Sequence, residues 1–249
     1  MKKIVKILSA VMALVLCLSL LSACGSKDNG SEKLIMGTNA AFPPYEYYDG
    51  DKIVGIDAEI AALLAEKLGM ELEIVDMDFN GIISAVQTGV VDIGLAGMTV
   101  TEKRLESVNF SDTYAKGVQV VIVKEGSDIK EIDDLAGKLI GVQEATTGDI
   151  YSTDEFGEEF IKRYQNGAAA VAALQNGIVD AVIIDNEPAK AFVAENEGLS
   201  ILEAHYADED YAIAIAKDNE ELLTKINTAL EELKADGSID KIVNKYIPS

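Results

Sequence analysis

Residues 94–104, GLAGMTVTEKR, leave an apolar run through small residues, pass two threonines and end on an arginine. Permissive backbone at Gly94 and Gly97, the Thr99 hydroxyl and the fixed cation of Arg104 all fall within eight residues of Ala96. A guanidinium presents a planar fork of donors that matches a carboxylate, and nearby hydroxyl and backbone donors complete the set. Those are the parts of a carboxylate receptor. A second apolar run, VDAVIID, ends on Asp185, whose acceptors suit an ammonium group. Together the two ends would satisfy a zwitterion. Each also has a plainer reading: Arg104 as a solvated helix residue beside Lys103, and Asp185 as the N-cap of a helix beginning near Glu187. A cation in the first turn of a helix opposes the helix dipole, so Arg104 gains little there without an anion nearby.

An internal echo explains how two such ends arise. Residues 85–95, AVQTGVVDIGL, match residues 173–183, ALQNGIVDAVI, at an offset of 88 residues. The same helix-turn-strand unit occurs twice, and its first copy runs into Ala96-Gly97-Met98-Thr99 while its second ends at Asp185. Ligands of open α/β sheets sit at the carboxyl ends of strands, which makes both exits candidate site positions.

Periodicity places the remaining elements. LIMGT, ELEIV, VVDIGLA, VQVVIV, KLIGVQ and VDAVIID read as strands. Helices are expected over Asp57 to Gly69, with Asp57 as N-cap and Gly69 as C-cap, and over about Gly81 to Gln87 and Gly167 to Gln175. Two more, near Glu220 to Lys234 and Ser238 to Tyr246, finish the chain. Short strands alternating with helices predict an α/β fold with mainly parallel sheets.

The chain has 249 residues, 49% of them hydrophobic, enough for one large or two modest domains. Its formal charge of -22, with no dense basic cluster, argues against a nucleic-acid partner. MKKIVK followed by the apolar Ile7 to Ala23 reads as a cleaved secretory signal over residues 1–23; as a membrane anchor the 17-residue span is short. LSAC at residues 21–24 resembles the lipobox of bacterial lipoproteins, which would make Cys24 the lipidated first residue of the mature protein. No internal disulfide is then possible, and the polar residues 24–33 form a flexible tether.

Five blocks carry a wider resemblance: residues 38–61 (TNAAFPPYEYYDGDKIVGIDAEIA), 77–104, 109–114 (NFSDTY), 141–149 (GVQEATTGD) and 179–189 (VDAVIIDNEPA). In these the sequence resembles the polar amino acid branch of the type II periplasmic binding proteins, the extracellular receptors of ABC importers, and is most similar in pattern to its glutamine-binding members. The resemblance implies a two-lobed fold, each lobe a mainly parallel sheet flanked by helices. Lobe 1 would hold residues 34–113 and 212–249, lobe 2 residues 118–206, and segments 114–117 and 207–211 would form a two-crossing hinge. It further implies that Arg104 grips a ligand α-carboxylate, helped by the backbone of Gly97 and Thr99, the Thr99 hydroxyl, and Thr146 and Thr147 from lobe 2. Asp185 would take the α-ammonium, with Phe42 and Phe79 sandwiching the ligand side chain and Ala96 and Asn39 completing the lining. For an isolated phenylalanine a core position is the commoner outcome.

The sequence departs from the glutamine-binding pattern at Asn39 (for aspartate), Gln143 (for lysine) and Ile184 (for histidine). Asn39, Gln143 and Glu144 then leave a polar pocket, for which a polar uncharged amino acid is expected first and arginine or lysine second. With one histidine, His205, expected at the surface near the second crossing, and no GxxxxGK, GxSxG or metal-spaced cluster, the chain does not read as an enzyme, and no cofactor or metal is expected. A dehydratase of the same fold (cyclohexadienyl type) with Glu144 as general acid is the alternative. The implied partners are a free amino acid and a membrane permease. A monomer is expected, held by lipid on the outer face of the cell membrane in the Gram-positive manner.

Overall fold

Ile56, Ile60, Ala61, Leu64 and Ala65 recur at helical spacing and form the buried face of α1 (Ile56–Leu68). In the computed structural model, which describes residues 32–248, this face packs on strands β1 (Lys33–Thr38) and β5 (Glu71–Asp76). Each fully buried Ile or Leu there contributes about 1.5–3 kcal/mol. The expected signal segment, Cys24 and most of the 24–33 tether lie outside the described residues. The helix ends at Gly69 as expected, but its N-cap is Gly55 and not Asp57. Asp57 is fully buried, and its Oδ2 accepts the Gly97 N–H and the Tyr114 hydroxyl, both at 2.8 Å.

The first large sheet has the order β5-β1-β6-β14-β7, with β6 (Ile93–Gly94), β7 (Val108–Phe110) and β14 (Ala214–Ala216). A small antiparallel sheet is formed by β2 (Ala41–Phe42), β3 (Glu46–Asp49) and β4 (Lys52–Val54). The second large sheet runs β10-β9-β11-β8-β12, and β13 (Ala207–Tyr211) pairs with β8 (Ala115–Lys124). Its other strands are β9 (Ile140–Gln143), β10 (Ile161–Tyr164), β11 (Ala181–Asp185) and β12 (Leu199–Ile201). Both sheets are mixed: β1 runs parallel to β5 and β6, and β9 to β10 and β11, whereas β14, β8, β12 and β13 enter antiparallel. Parallel pairs need a helical crossover; α2 (Phe79–Gln87) and α5 (Gly167–Gln175) lie on such connections, while β8 and β13 return directly.

The internal echo has a structural cause. Asp92 and Asp180 end the two copies of the turn, and each carboxylate accepts a backbone N–H from the neighbouring chain, Ile35 at 2.7 Å and Leu139 at 2.8 Å. The backbone N–H of each aspartate returns a bond to the carbonyl of the same residue. Each turn is thereby pinned to its sheet, and the strand exits that follow are placed.

The strand expected over VVDIGLA shortens to Ile93–Gly94, with the Leu95 N–H still donating to the Gly37 carbonyl of β1 at 3.1 Å. Helix α4 (Thr147–Phe156), in a polar stretch without helical apolar spacing, escapes the periodicity reading. The remaining α-helices among the described residues are α3 (Glu102–Leu105), α6 (Asn186–Glu195), α7 (Glu220–Ala235) and α8 (Ser238–Tyr246), and His205 is exposed just before β13.

Candidate functional site

Four strand ends converge. β1 exits to Asn39, β6 to Ala96 and Gly97, β9 to Gln143 and the Thr146-Thr147 turn, and β11 to Asp185. All ten residues singled out from the sequence line one cleft at this meeting point, and Glu46 and Gln143 join them. Hydrogen bonds run across it from one large sheet's side to the other: Gln143 Nε2 to Asn39 Oδ1 at 3.0 Å, Arg104 Nη2 to the Ala145 carbonyl at 3.0 Å and Gln165 Nε2 to Asp78 Oδ1 at 2.7 Å. The cleft is closed.

Arg104 is not a solvated helix residue. It is 6% exposed, Thr101 caps its short helix, and its Nη1 donates to the Thr99 carbonyl at 2.7 Å. The Phe79 ring centroid lies 5.4 Å from its guanidinium carbon, within cation–π range. Burial lowers the Arg104 pKa, and Glu209 is the first of the groups that pull it back up. One N–H of each Nη is spent on a carbonyl, which leaves the others, with Nε–H, as donors for a ligand acceptor.

Asp185 occupies the N-cap position of α6 but makes no side-chain cap bond. Its carboxylate instead accepts the Tyr211 hydroxyl and, at 2.8 Å, Nε2 of Gln119. Burial first and the neighbouring Glu209 second push its pKa well above the usual carboxylate range. A buried acid so placed gains most from a cation.

Several finer expectations change. The Gly97 N–H is committed to Asp57 and so is not a donor to the cleft. Gly97 is needed for another reason: at φ 51 a Cβ would sit 2.7 Å from Cε1 of Phe42, whose buried ring forms one wall. Thr146 lines the cleft, but its hydroxyl donates to the Gln143 carbonyl at 2.8 Å and caps α4. Thr147, first residue of α4, accepts from Gln119 at 3.4 Å and keeps its own hydroxyl hydrogen for another partner. Glu144 is not in the pocket: it is exposed at the rim and accepts from Asn80 at 3.1 Å.

Glu46 escaped the sequence reading. It is 1% exposed, its Oε2 has no hydrogen-bond partner among the described residues, and burial and Asp57 raise its pKa well above the usual range. In the β2–β3 hairpin Phe42 pairs with Glu46, and directly opposed residues share a face, so the wall that carries the ring carries the acid. Only the register around Pro43-Pro44 would have revealed it.

A model of the bacterial extracellular solute-binding proteins, family 3, matches residues 34–249. The chain belongs to this family. The arginine-binding extracellular protein ArtP of Bacillus subtilis (strain 168) is 39% identical over 240 residues, covering 91% of this chain and 92% of ArtP. An ancestral arginine-binding protein bound to glutamine superposes with a TM-score of 0.83 at 43% identity, over 87% of this chain and 98% of that one. An ancestral arginine-binding protein bound to arginine gives 0.82 at 42% identity, over 88% of this chain and 100% of that one. The two-sheet periplasmic-binding-protein type II fold expected from the sequence is therefore the fold of this solute-binding protein, which is not an enzyme. Its likeness to arginine-binding members is stronger than the expected glutamine-binding pattern suggested.

Proposed function

We propose that this family member is the extracellular receptor of an amino acid ABC importer and that its cleft takes a free L-amino acid with a basic side chain, arginine first. The observation that carries this reading is the charge of the lining. Among the described residues that line the cleft, Arg104 is the only cation, and Glu46 and Asp185 are the acids. An α-carboxylate on Arg104 and the start of α4 and an α-ammonium on Asp185 leave Glu46 over. A cationic side chain is what that buried carboxyl lacks, and an adjacent positive charge favours its ionised form. Relatives with arginine in their names support the same ligand. An uncharged amide is the second reading, favoured by the Asn39–Gln143 amide pair and by the relative bound to glutamine.

Calorimetry against the twenty amino acids tests the class, and Glu46→Gln tests the ligand. The variant should weaken arginine about tenfold or more, as for a lost hydrogen bond to a charged group, and leave glutamine within about threefold. Equal losses for both would turn the assignment to the amide.

In this mechanism segments 114–117 and 207–211 act as the hinge between lobe 1 (34–113 and 212–249) and lobe 2 (118–206). Ligand bridging Arg104 and Asp185 interacts with both lobes only when they are together, so it shifts the population toward the closed form. The permease would read that form. A lipid on Cys24 would keep the receptor at the membrane, two or more acyl chains being needed for stable anchoring. Cys24→Ser should then release the protein into the medium at unchanged affinity; full retention on membranes would remove the anchor from the scheme.

A further inference from the structure

Asp185 is held by the two strands that connect the halves of the molecule. Tyr211, at the end of β13, donates its hydroxyl to Oδ1, and Gln119, on β8, donates Nε2 to Oδ2. Both donors are buried. The Tyr211 ring lies so close over Gly117 that a Cβ there would meet its hydroxyl oxygen at 2.3 Å, and it stands edge-on to Tyr45 with centroids 5.3 Å apart. Its backbone faces the other way: Tyr211 bridges to Thr99, and the next residue, Ala212, donates to the Met98 carbonyl at 3.1 Å. One residue thus joins the strand exit that carries the arginine to the acid at the end of β11.

The surroundings of Asp185 otherwise oppose its charge. Burial and Glu209 on β13 favour the neutral acid, and the two donors favour the carboxylate. Glu46 on β3 and Arg104 on α3 also feel the Asp185 charge, the first as repulsion and the second as attraction. So does the Tyr45 hydroxyl, which burial keeps protonated and which also feels Glu187 on α6. Tyr151 on α4 faces Glu209 and Arg104.

We propose that Tyr211, seconded by Gln119, is a positioning residue of the cleft: from the crossing strands it aims Asp185 at the ligand ammonium and keeps it a carboxylate. Capture of the ammonium and the closed arrangement of the crossings are then one event. This rests on the reading of Asp185 as the ammonium acceptor.

Tyr211→Phe keeps the ring on Gly117 and Tyr45 and removes only the hydroxyl. Arginine, or glutamine if arginine does not bind, is titrated calorimetrically between about pH 4 and 8. An ammonium is accepted by the ionised acid, so binding fails as pH falls through the Asp185 pKa. Loss of a donor to the carboxylate raises that pKa, and the failure should move to higher pH. At neutral pH the variant should bind about tenfold more weakly, while the des-amino analogue of the same ligand changes by less than about twofold. An affinity and pH profile equal to wild type would overturn the proposal. If the variant melts too low to titrate, Gln119→Met carries the same two readouts in the same direction, and unchanged values there overturn it equally. Absence of amino acid binding by the wild type would overturn the reading of the cleft as well, which separates the two failures.

Discussion

Arg104→Ala is expected to cost about 2 to 5 kcal/mol of binding free energy, enough to remove measurable binding of the preferred amino acid in ordinary titrations. The reason is desolvation. In the closed cleft the arginine is 6% exposed, and a ligand carboxylate beside it is cut off from water with no other cationic side chain in the described lining. Truncation leaves that charge without its partner, which costs more than the pair contributes. The carbonyls of Thr99 and Ala145 lose their donor too, and the second of these bonds crosses the cleft. The variant should therefore stay open at ligand levels that compact the wild type in small-angle scattering. Its melting temperature without ligand should move far less than its affinity. Binding of arginine or glutamine within about threefold of wild type would take Arg104 out of the site.

Asp185→Asn should have an effect of the same order, about 2 to 5 kcal/mol, but only for ligands with an α-ammonium. Asparagine keeps the shape and one acceptor for Tyr211, whereas its amide N–H faces Gln119 Nε2 and the ammonium with donors toward donors. A des-amino analogue should bind wild type poorly and lose little more in the variant. Arg104→Ala, by contrast, should weaken both ligands, since both carry the carboxylate. Loss of the two ligands in equal measure from Asp185→Asn would mean that the carboxylate orders the cleft and does not meet the ammonium. The comparison is robust to modest destabilisation, because a buried pair of donors left half-satisfied costs about 1–3 kcal/mol of stability for either ligand alike.

The sequence by itself determined what depends on spacing along the chain. The helices over Gly167–Gln175 and Ser238–Tyr246 have their expected bounds, and the helix-turn-strand unit recurs with an aspartate at the end of each turn. These follow from periodicity, glycine turns and short-range caps, which are local. The ten candidate residues were legible because blocks of recognisable pattern carry them, and tertiary structure brought all ten to one cleft. What only that structure decided is where each polar group finds its partner. Asp57 looks like a helix cap and instead holds Gly97 and Tyr114, residues 40 and 57 positions away. Thr146 looks like a donor to the cleft and spends its hydroxyl on the cap of α4. Glu46 carries no signal in the sequence and lies buried in the lining, where the hairpin register sets it opposite Phe42. Asp185 is kept from capping its own helix by donors that arrive on β8 and β13. A buried polar atom must be satisfied by whichever group the packing brings within about 3 Å, and residue spacing does not specify which group that is.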